Sequence, residues 1–322
     1  MNERNALGLT LCVSLALLCG CASGQSAARP SNLLPSTARD SWMSANLASQ
    51  DLLYVSNSDN EVTVYSYSQH TLVGVLTDFT LPRGECADAS GDVYITDYAA
   101  EQILEYAHGG GKPLKKLDDA PDSPYACSVD PTTGNLAVAN DDGTSKEGNI
   151  AIYAGASGTP TRYADSSLYN FEGCAYDKHG NLLVTNGSGN PAAFAWLPVG
   201  GTRLVTIRVP GPDPSWKWYN VGAIEWDGKY FVINDYNLYR ISVTHGQAFY
   251  IGSTSLDPGS YYPFWIYNDN SAEQGTQVVG SVYSDSQNGV DYFDYPSGGD
   301  PTYQITHGVD DPSGVTISLG KH

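Results

Sequence analysis

The sequence predicts an all-β protein, and three observations support a six-bladed β-propeller. First, a strand–turn–strand unit recurs along the 322 residues, with turn glycines at Gly91, Gly134, Gly180, Gly228 and Gly275. A repeat of about 40 to 50 residues made of short strands is typical of propeller blades. Second, no long amphipathic helical pattern follows the first 50 residues. Third, the C-terminal segment repeats the first half of the unit, so it can complete the first blade.

Residues 1–20 have the pattern of an export signal. A single early Arg4 precedes an apolar run, residues 6–18, that is too short to span a bilayer as a stable helix. The run ends in Leu18-Cys19-Gly20-Cys21, which resembles the lipobox of bacterial lipoproteins. This resemblance implies that Cys21 carries the lipid, and Ala22 after it resembles sorting to the outer membrane. The alternative is ordinary cleavage near Ala22-Ser23-Gly24.

Residues 21–50 are rich in Ser, Ala, Asn and Pro and have no sustained periodicity. This composition predicts a flexible tether, and a short amphipathic helix at Trp42–Leu47 is the alternative. The propeller is then residues 51–322.

Blade one shows only three strands, at Leu52–Asn57, Glu61–Tyr67 and Leu72–Thr77. Its missing innermost strand is found in Gly314–Gly320, at the other end of the chain. We therefore predict a ring closed by pairing of the C-terminal strand with the first blade, which also removes exposed sheet edges. Blades two to six follow, with starts at Pro82, Pro124, Phe171, Val221 and Pro263.

The pattern D-x-x-G-N-L-x-V-x-N/D occurs at Asp177–Asn186 and, with one extra turn residue, at Asp130–Asn140. It resembles the repeat of the NHL and SMP-30/gluconolactonase-like six-bladed propellers. The resemblance implies the architecture over residues 51–320, but that repeat serves enzymes and binding modules alike. The catalytic motifs of the lactonases are not intact in this chain.

The charge balance restricts the partners. With 16 basic and 35 acidic residues, the formal net charge is −19. Such a surface repels nucleic acid, so no nucleic-acid partner is predicted. We expect a monomer that meets the membrane only through the Cys21 lipid, and whose partner is a small molecule, a glycan or an envelope protein.

Polar residues end the second strand of most blades and should circle one axial face: Asp97, Asn140, Asn186 and Asn234. Each could cap the turn that follows it, or face a ligand. In SMP-30-like enzymes this face holds Ca²⁺, and the resemblance implies Glu172, Asn186, Asn234 and Asp97 as possible ligands, since oxygen donors suit that ion. Glu85 and Glu172 begin first strands and open on the same face. Each is either a ligand or general base, or a solvated rim charge.

Aromatic residues gather where one blade leads into the next. Trp218 lies in the stretch Trp216–Tyr219, and Tyr262 lies in Tyr261–Trp265. Exposed rings beside polar amides suit a glycan or another flat ligand, whereas buried rings would pack the seam between blades. The sequence leaves both open.

Cys86, Cys127 and Cys174 occupy related places in three consecutive first strands. They could bind a soft metal, two of them could form a disulfide in an exported chain, or all could be small buried core residues. The odd number favours buried free thiols.

These observations predict a lipid-anchored protein of the bacterial envelope that binds a small molecule, glycan or protein partner on its axial face. The alternative is a Ca²⁺-dependent hydrolase of the lactonase type, in which Glu172 or Asp97 activates water. No cofactor other than Ca²⁺ is expected.

Overall fold

The structure is a computed structural model that describes residues 40–321 except 142–147, 167, 188–191, 220, 258–262, 269–273 and 285–286. The export signal, Cys21 and Tyr262 lie outside these residues. Within them, 25 β-strands form six antiparallel sheets. None of the helices in this part of the chain is long and apolar enough to cross a membrane.

The strands are numbered along the chain. Blade one contains β1 (Trp42–Met43), β2 (Leu52–Ser56), β3 (Val62–Ser66), β4 (Thr71–Leu76) and the C-terminal β25 (Gly314–Ser318). Blade two contains β5 (Pro82–Ala87), β6 (Val93–Asp97), β7 (Gln102–Tyr106) and β8 (Pro113–Asp118). Blade three contains β9 (Pro124–Val129), β10 (Leu136–Asn140), β11 (Asn149–Tyr153) and β12 (Thr161–Tyr163).

Blade four contains β13 (Gly173–Tyr176), β14 (Leu182–Thr185), β15 (Phe194–Leu197) and β16 (Val205–Ile207). Blade five contains β17 (Ile224–Trp226), β18 (Phe231–Asp235), β19 (Asn237–Thr244) and β20 (Gln247–Thr254). Blade six contains β21 (Phe264–Tyr267), β22 (Gln277–Ser284), β23 (Gln287–Asp294) and β24 (Tyr303–Ile305). Short 3₁₀ turns follow β6 at Tyr98–Ala100 and β11 at Ala154–Ala156.

The repeated Asp and Gly build the inner hairpin turns. In blade two, Oδ1 of Asp88 accepts hydrogen bonds from the amides of Ser90 (2.8 Å) and Asp92 (2.9 Å). Gly91 then takes a φ of 88°, in the left-handed region that a glycine adopts without strain. The glycines at 134, 180 and 228 also have positive φ, but Gly275 does not. Four of the five anchor glycines are therefore turn residues of the expected kind.

The C-terminal strand closes the ring, which confirms the predicted closure. β25 pairs with β2 in antiparallel register, with Leu52 opposite Ser318 and Ser56 opposite Gly314. The innermost strands of the six blades contact one another around the ring, β25 between those of blades six and two. The blades pack through buried apolar clusters, and β25 contributes Val315 and Ile317 to the one between blades six and one.

The predicted tether extends too far. Trp42 and Met43 pair with Val75 and Gly74 and add an outer strand to blade one. Leu47 is buried in the cluster that also contains Leu52. The chain is therefore part of the propeller from about residue 41. Burying these apolar side chains is more favourable than leaving them exposed to solvent in a tether. A strand, not the alternative helix, forms there.

Two of the three first-strand cysteines form a disulfide, so the preference for three free thiols was wrong. Cys86 and Cys127 are bonded, with their Cα atoms 5.7 Å apart. Adjacent innermost strands bring similar positions of neighbouring blades face to face, which is the geometry a disulfide needs. Cys174 is free and buried, as predicted for a small core residue.

Candidate functional site

A cavity of about 100 Å³ lies on the propeller axis, where the innermost strands begin. All six blades contribute to its wall, and the lining includes both glutamates that the sequence placed on this face, Glu85 and Glu172. The innermost strands approach closely here. A Cβ at Gly84 would lie 2.6 Å from the carbonyl oxygen of Tyr125, so a side chain at this position would force blades two and three apart.

The residues around this cavity are related by the pairing register of the strands and not by their distance along the chain from the turn glycines. In each blade one residue of the innermost strand lies opposite a Val or Ile that stands two places before the polar end of the second strand. We call these six residues the axial layer. In blade order they are Val315, Glu85, Cys127, Cys174, Glu225 and Trp265. The first five line the cavity.

Glu85 is the most deeply buried acid of the axial layer. Its side chain is 4% exposed, and Oε1 accepts a 2.6 Å hydrogen bond from the hydroxyl of Ser56. Oε2 is buried and has no hydrogen-bond partner among the described residues. Burial raises the pKa of Glu85 to about 8, and the Ser56 hydrogen bond only partly offsets that effect. Glu85 is therefore not the solvated rim charge that the sequence left open.

Glu225 is the second acid of the axial layer, and the sequence analysis missed it. It lines the cavity from blade five, and no hydrogen bond or ion pair to a described residue is present. Burial raises the pKa of its carboxyl well above the usual value. Counting from turn glycines hides its equivalence to Glu85, because the blade-five hairpin reaches Gly228 sooner. Strand register is the signal that reveals it.

The mouth of the cavity carries one more acid, an aromatic ring and a cation. Glu172 lines the cavity just before β13, and Tyr125 lies beside it. The guanidinium of Arg83 lies 5.8 Å from the ring centres of both Tyr98 and Tyr125. Burial raises the pKa of Tyr125, the Glu172 charge adds to the rise, and the Arg83 charge opposes it. The mouth thus carries a cation as well as an acid, whereas the charged groups of the described interior lining are the carboxyls of Glu85 and Glu225.

Two members of the predicted polar ring accept hydrogen bonds from backbone amides. Asp97 is fully buried, and its carboxylate accepts hydrogen bonds from the amides of Thr80 and Leu81 and from the side chain of Gln102. Oδ1 of Asn186 accepts a 2.7 Å hydrogen bond from the amide of Ala193. The capping interpretation therefore holds for Asn186, whose bond closes the loop after β14, but Asp97 makes no side-chain hydrogen bond to the 3₁₀ turn that follows it.

The other two members of the ring behave differently. The side-chain amide of Asn140 donates to Oδ1 of Asn149 at 3.1 Å. Asn234 is fully buried, and neither its Oδ1 nor its Nδ2 has a partner among the described residues. Its backbone amide donates to the carbonyl of Ala223, which lines the cavity. Asn234 is therefore an uncompensated polar group next to the cavity wall.

The expected calcium set does not fit this arrangement. Asp97 and Asn186 each have a side-chain oxygen that already accepts a hydrogen bond from a backbone amide. Ca²⁺ would need these same oxygens as ligands. Among the described residues, no three His, Cys, Asp or Glu side chains are close enough to hold one metal ion. Since Ca²⁺ takes six to eight oxygen ligands, Glu172 and Asn234 alone are a poor site.

Trp218 is not available to stack on a ligand. It is 4% exposed, its indole NH donates to the carbonyl of Val209 at 2.9 Å, and its ring packs edge to face against Phe194 and Tyr239. Seam packing is therefore the correct interpretation for Trp218, because the ring gains both burial and a hydrogen bond there.

Trp265 separates the cavity from a larger depression at the opposite end of the axis. Its ring packs against the apolar clusters of blades six and one and of blades two and three, so it reaches across the axis. The opposite depression is about 690 Å³, is open to solvent, and is lined by Trp226, Trp265 and Lys178 among others. Its described lining has no acid like Glu85, which is buried and has an oxygen with no hydrogen-bond partner among the described residues, and we take the axial cavity as the candidate site.

No protein-family model matches the sequence, and no curated protein matches it. The predicted family therefore stays a prediction. Solved structures do share the fold. A chain of a nidogen/laminin complex has a TM-score of 0.63 at 15% identity, over 85% of this chain and 100% of that chain.

Two other solved structures are similar over much of the chain. A protein of unknown function from Bacteroides caccae has a TM-score of 0.59 at 11% identity, over 84% of this chain and 99% of that one. Hydrazine synthase from Kuenenia stuttgartiensis has a TM-score of 0.55 at 14% identity, over 76% and 80%. At these identities the likeness concerns the fold alone.

Proposed function

We propose that this chain is a lipid-anchored protein of the bacterial envelope that binds a small molecule in the axial cavity. The observation that carries the proposal is Oε2 of Glu85, a buried oxygen on the cavity wall that has no hydrogen-bond partner among the described residues. Leaving such a group unpaired costs about 1 to 3 kcal/mol, and more if it is charged. A ligand that donates to it removes that cost. Strongly perturbed carboxyls in a concave site are a frequent mark of function.

The export part of the proposal has two supports. The segment ending in Cys21 resembles a lipobox, and the Cys86–Cys127 disulfide suits an oxidising compartment outside the cytoplasm. Cys21→Ser should release the protein from washed membranes, because the lipid is the only predicted membrane attachment, while Cys19→Ser should stay bound. Retention of Cys21→Ser protein in the membrane fraction would contradict the anchor.

The site is tested with a fragment library and three forms of the protein. Melting temperature is measured for the wild type, for Glu225→Leu, which removes a cavity acid, and for Lys178→Gln, which alters only the opposite depression. We expect stabilising fragments whose effect is lost in Glu225→Leu and kept in Lys178→Gln. The reverse pattern would move the site to the opposite depression, where a glycan or protein partner would have room.

The hydrolase alternative has a separate test. A lactone panel is assayed with and without a chelator. Turnover that the chelator abolishes would favour a calcium-dependent hydrolase over a binding protein. We expect no chelator-dependent turnover, because Asp97 and Asn186 already accept backbone amides.

A further inference from the structure

We propose, resting on the proposed function above, that the ligand of the axial cavity is a small alkylammonium compound whose –NH₃⁺ group donates hydrogen bonds to the carboxylates of Glu85 and Glu225. The two acids belong to blades two and five, which stand opposite each other in a ring of six. They belong to the same axial layer and line the same cavity. A single ammonium between them could donate to both, and a compound with two ammonium groups could give each acid its own.

The charge inventory of the cavity favours a cation. Its described lining contains three glutamates and no Lys, Arg or His. The other titratable groups that face these acids are neutral at pH 7 or lie at the mouth: Tyr54, Tyr125, Cys174 and Arg83. Burial raises the pKa of the Cys174 thiol, so that group supplies no counter-charge either. None of the described lining residues supplies a cation for an ionised carboxylate in this interior, and the ligand would supply one.

The donor requirement is as specific as the charge. Once the carboxyl of Glu85 is ionised, its Oε2 can only accept hydrogen bonds, and none of the described residues donates a hydrogen bond to Glu225. An ammonium group offers three donors and no acceptor, so it matches the carboxylate acceptors of Glu85 and Glu225. A single metal ion does not match, because no three acidic, His or Cys side chains of the described residues are close enough to share one.

The size of the cavity limits what can enter. A cavity of about 150 Å³ accommodates benzene, so the present volume of about 100 Å³ takes a group of roughly four or five heavy atoms. A sugar ring is too large, whereas an ammonium on a slender alkyl chain fits. The rest of a longer bound ligand would extend out of the cavity through the mouth, past Tyr125 and Glu172.

Binding of an ammonium should be linked to protons. The pKa of Glu85 is raised to about 8 by burial, so its carboxyl is mostly protonated in the empty cavity at pH 7. The cation favours the ionised carboxylate, so a proton leaves as the ligand enters. Affinity should therefore rise by up to about tenfold per pH unit between pH 6 and 8, and fall above about pH 10, where the amine itself loses its proton.

The experiment compares matched probes on the full chain, purified in a non-ionic detergent. The probes are n-propylammonium, 1,3-diaminopropane, n-propanol and propionate, and binding is measured by titration calorimetry at pH 7. Runs in phosphate and in MOPS differ in buffer ionisation heat and so count released protons. We expect both amines to bind at least tenfold more tightly than propanol and propionate, with about one proton released per ammonium.

Variants locate the binding. Glu85→Gln and Glu225→Gln should each weaken the amines at least tenfold, and Glu85→Gln should abolish most of the proton release, whereas Lys178→Gln should leave both quantities unchanged. Circular dichroism and melting confirm that each variant is folded. Equal binding of propanol or propionate would overturn the ammonium inference and leave a cavity ligand of another class. Failure of all four probes to bind would overturn it too, while the fragment screen decides the proposed function separately.

Discussion

Replacing Glu85 by Gln should stabilise the empty protein, and the gain should grow with pH. Gln keeps the shape of the side chain and an acceptor for the Ser56 hydroxyl, but it cannot ionise. In the wild type the folded state holds a proton on Glu85 up to about pH 8, because burial raises its pKa. The unfolded chain loses that proton near pH 4.3. Between these values the wild type therefore loses stability as pH rises, and Glu85→Gln does not.

The size of the effect follows from the two pKa values. When the unfolded state has lost a proton that the folded state keeps, the free energy of unfolding falls by about 1.4 kcal/mol per pH unit. From pH 5 to pH 8 the fall in the free energy of unfolding amounts to roughly 3.5 kcal/mol for Glu85. The fall levels off as the pH reaches the folded pKa of about 8. In a domain of this size each kcal/mol corresponds to about 2 to 4 °C in melting temperature, so the shift should approach 7 to 14 °C.

The assay is urea unfolding of wild type and Glu85→Gln at pH 5, 6, 7 and 8 without amines in the buffer. The matched control is Glu101→Gln, which changes a glutamate outside the cavity and should shift stability by less than about 0.5 kcal/mol at every pH. A difference between Glu85→Gln and wild type that stays constant from pH 5 to 8 would refute the reasoning. It would mean that Glu85 is ionised and paired in the folded protein.

Three other changes test the framework. Deleting residues 313–322 removes β25 and exposes the edge of β2, so cooperative unfolding should be lost; a truncated protein that melts within a few degrees of the full chain would contradict the closure. Changing Cys86 and Cys127 to Ser should cost about 4 kcal/mol of unfolding free energy, from loop entropy over a separation of 41 residues, and a reductant should destabilise only the wild type. Asn234→Leu removes a buried side-chain amide that has no partner among the described residues and should raise the unfolding free energy by about 1 to 3 kcal/mol; a loss would mean that the amide is paired in the folded state.

The architecture was predictable because local sequence signals mark each repeat. An Asp that caps the hairpin turn and a Gly that takes positive φ recur in blade after blade, and apolar strands lie on either side of them. The ring closure was predictable for the same reason, since Gly314–Ser318 is a recognisable half repeat. The N-terminal strand was not, because a strand of two residues leaves no periodic signal.

The site was only partly predictable. Glu85 and Glu172 were identified because the repeat puts both near the start of innermost strands, which converge on the axis; in the structure Glu85 lies inside β5 and Glu172 just before β13. Glu225 was missed because turn lengths differ between blades, and only strand pairing places it opposite Val232 as Glu85 is placed opposite Ile95. The disulfide was only one of three alternatives for a related reason. Cys86 and Cys127 differ in register by one residue, and spacing along the chain does not show that neighbouring strands bring them together.

The axial layer shows where the sequence departs from its own repeat. The partner of each axial residue is a β-branched apolar residue in all six blades, so packing favours an apolar side chain at the axial position itself. Blades one, three, four and six have Val, Cys, Cys and Trp there. Glu85 and Glu225 break this rule at an energetic cost, in opposite blades and on one cavity. A residue that breaks the pattern of the repeat and costs stability is expected where selection acts on a functional site.

Replacing both acids by Val, the residue of blade one, should therefore stabilise the propeller while abolishing ammonium binding. A double variant that lost stability would instead show that the two acids stabilise the fold.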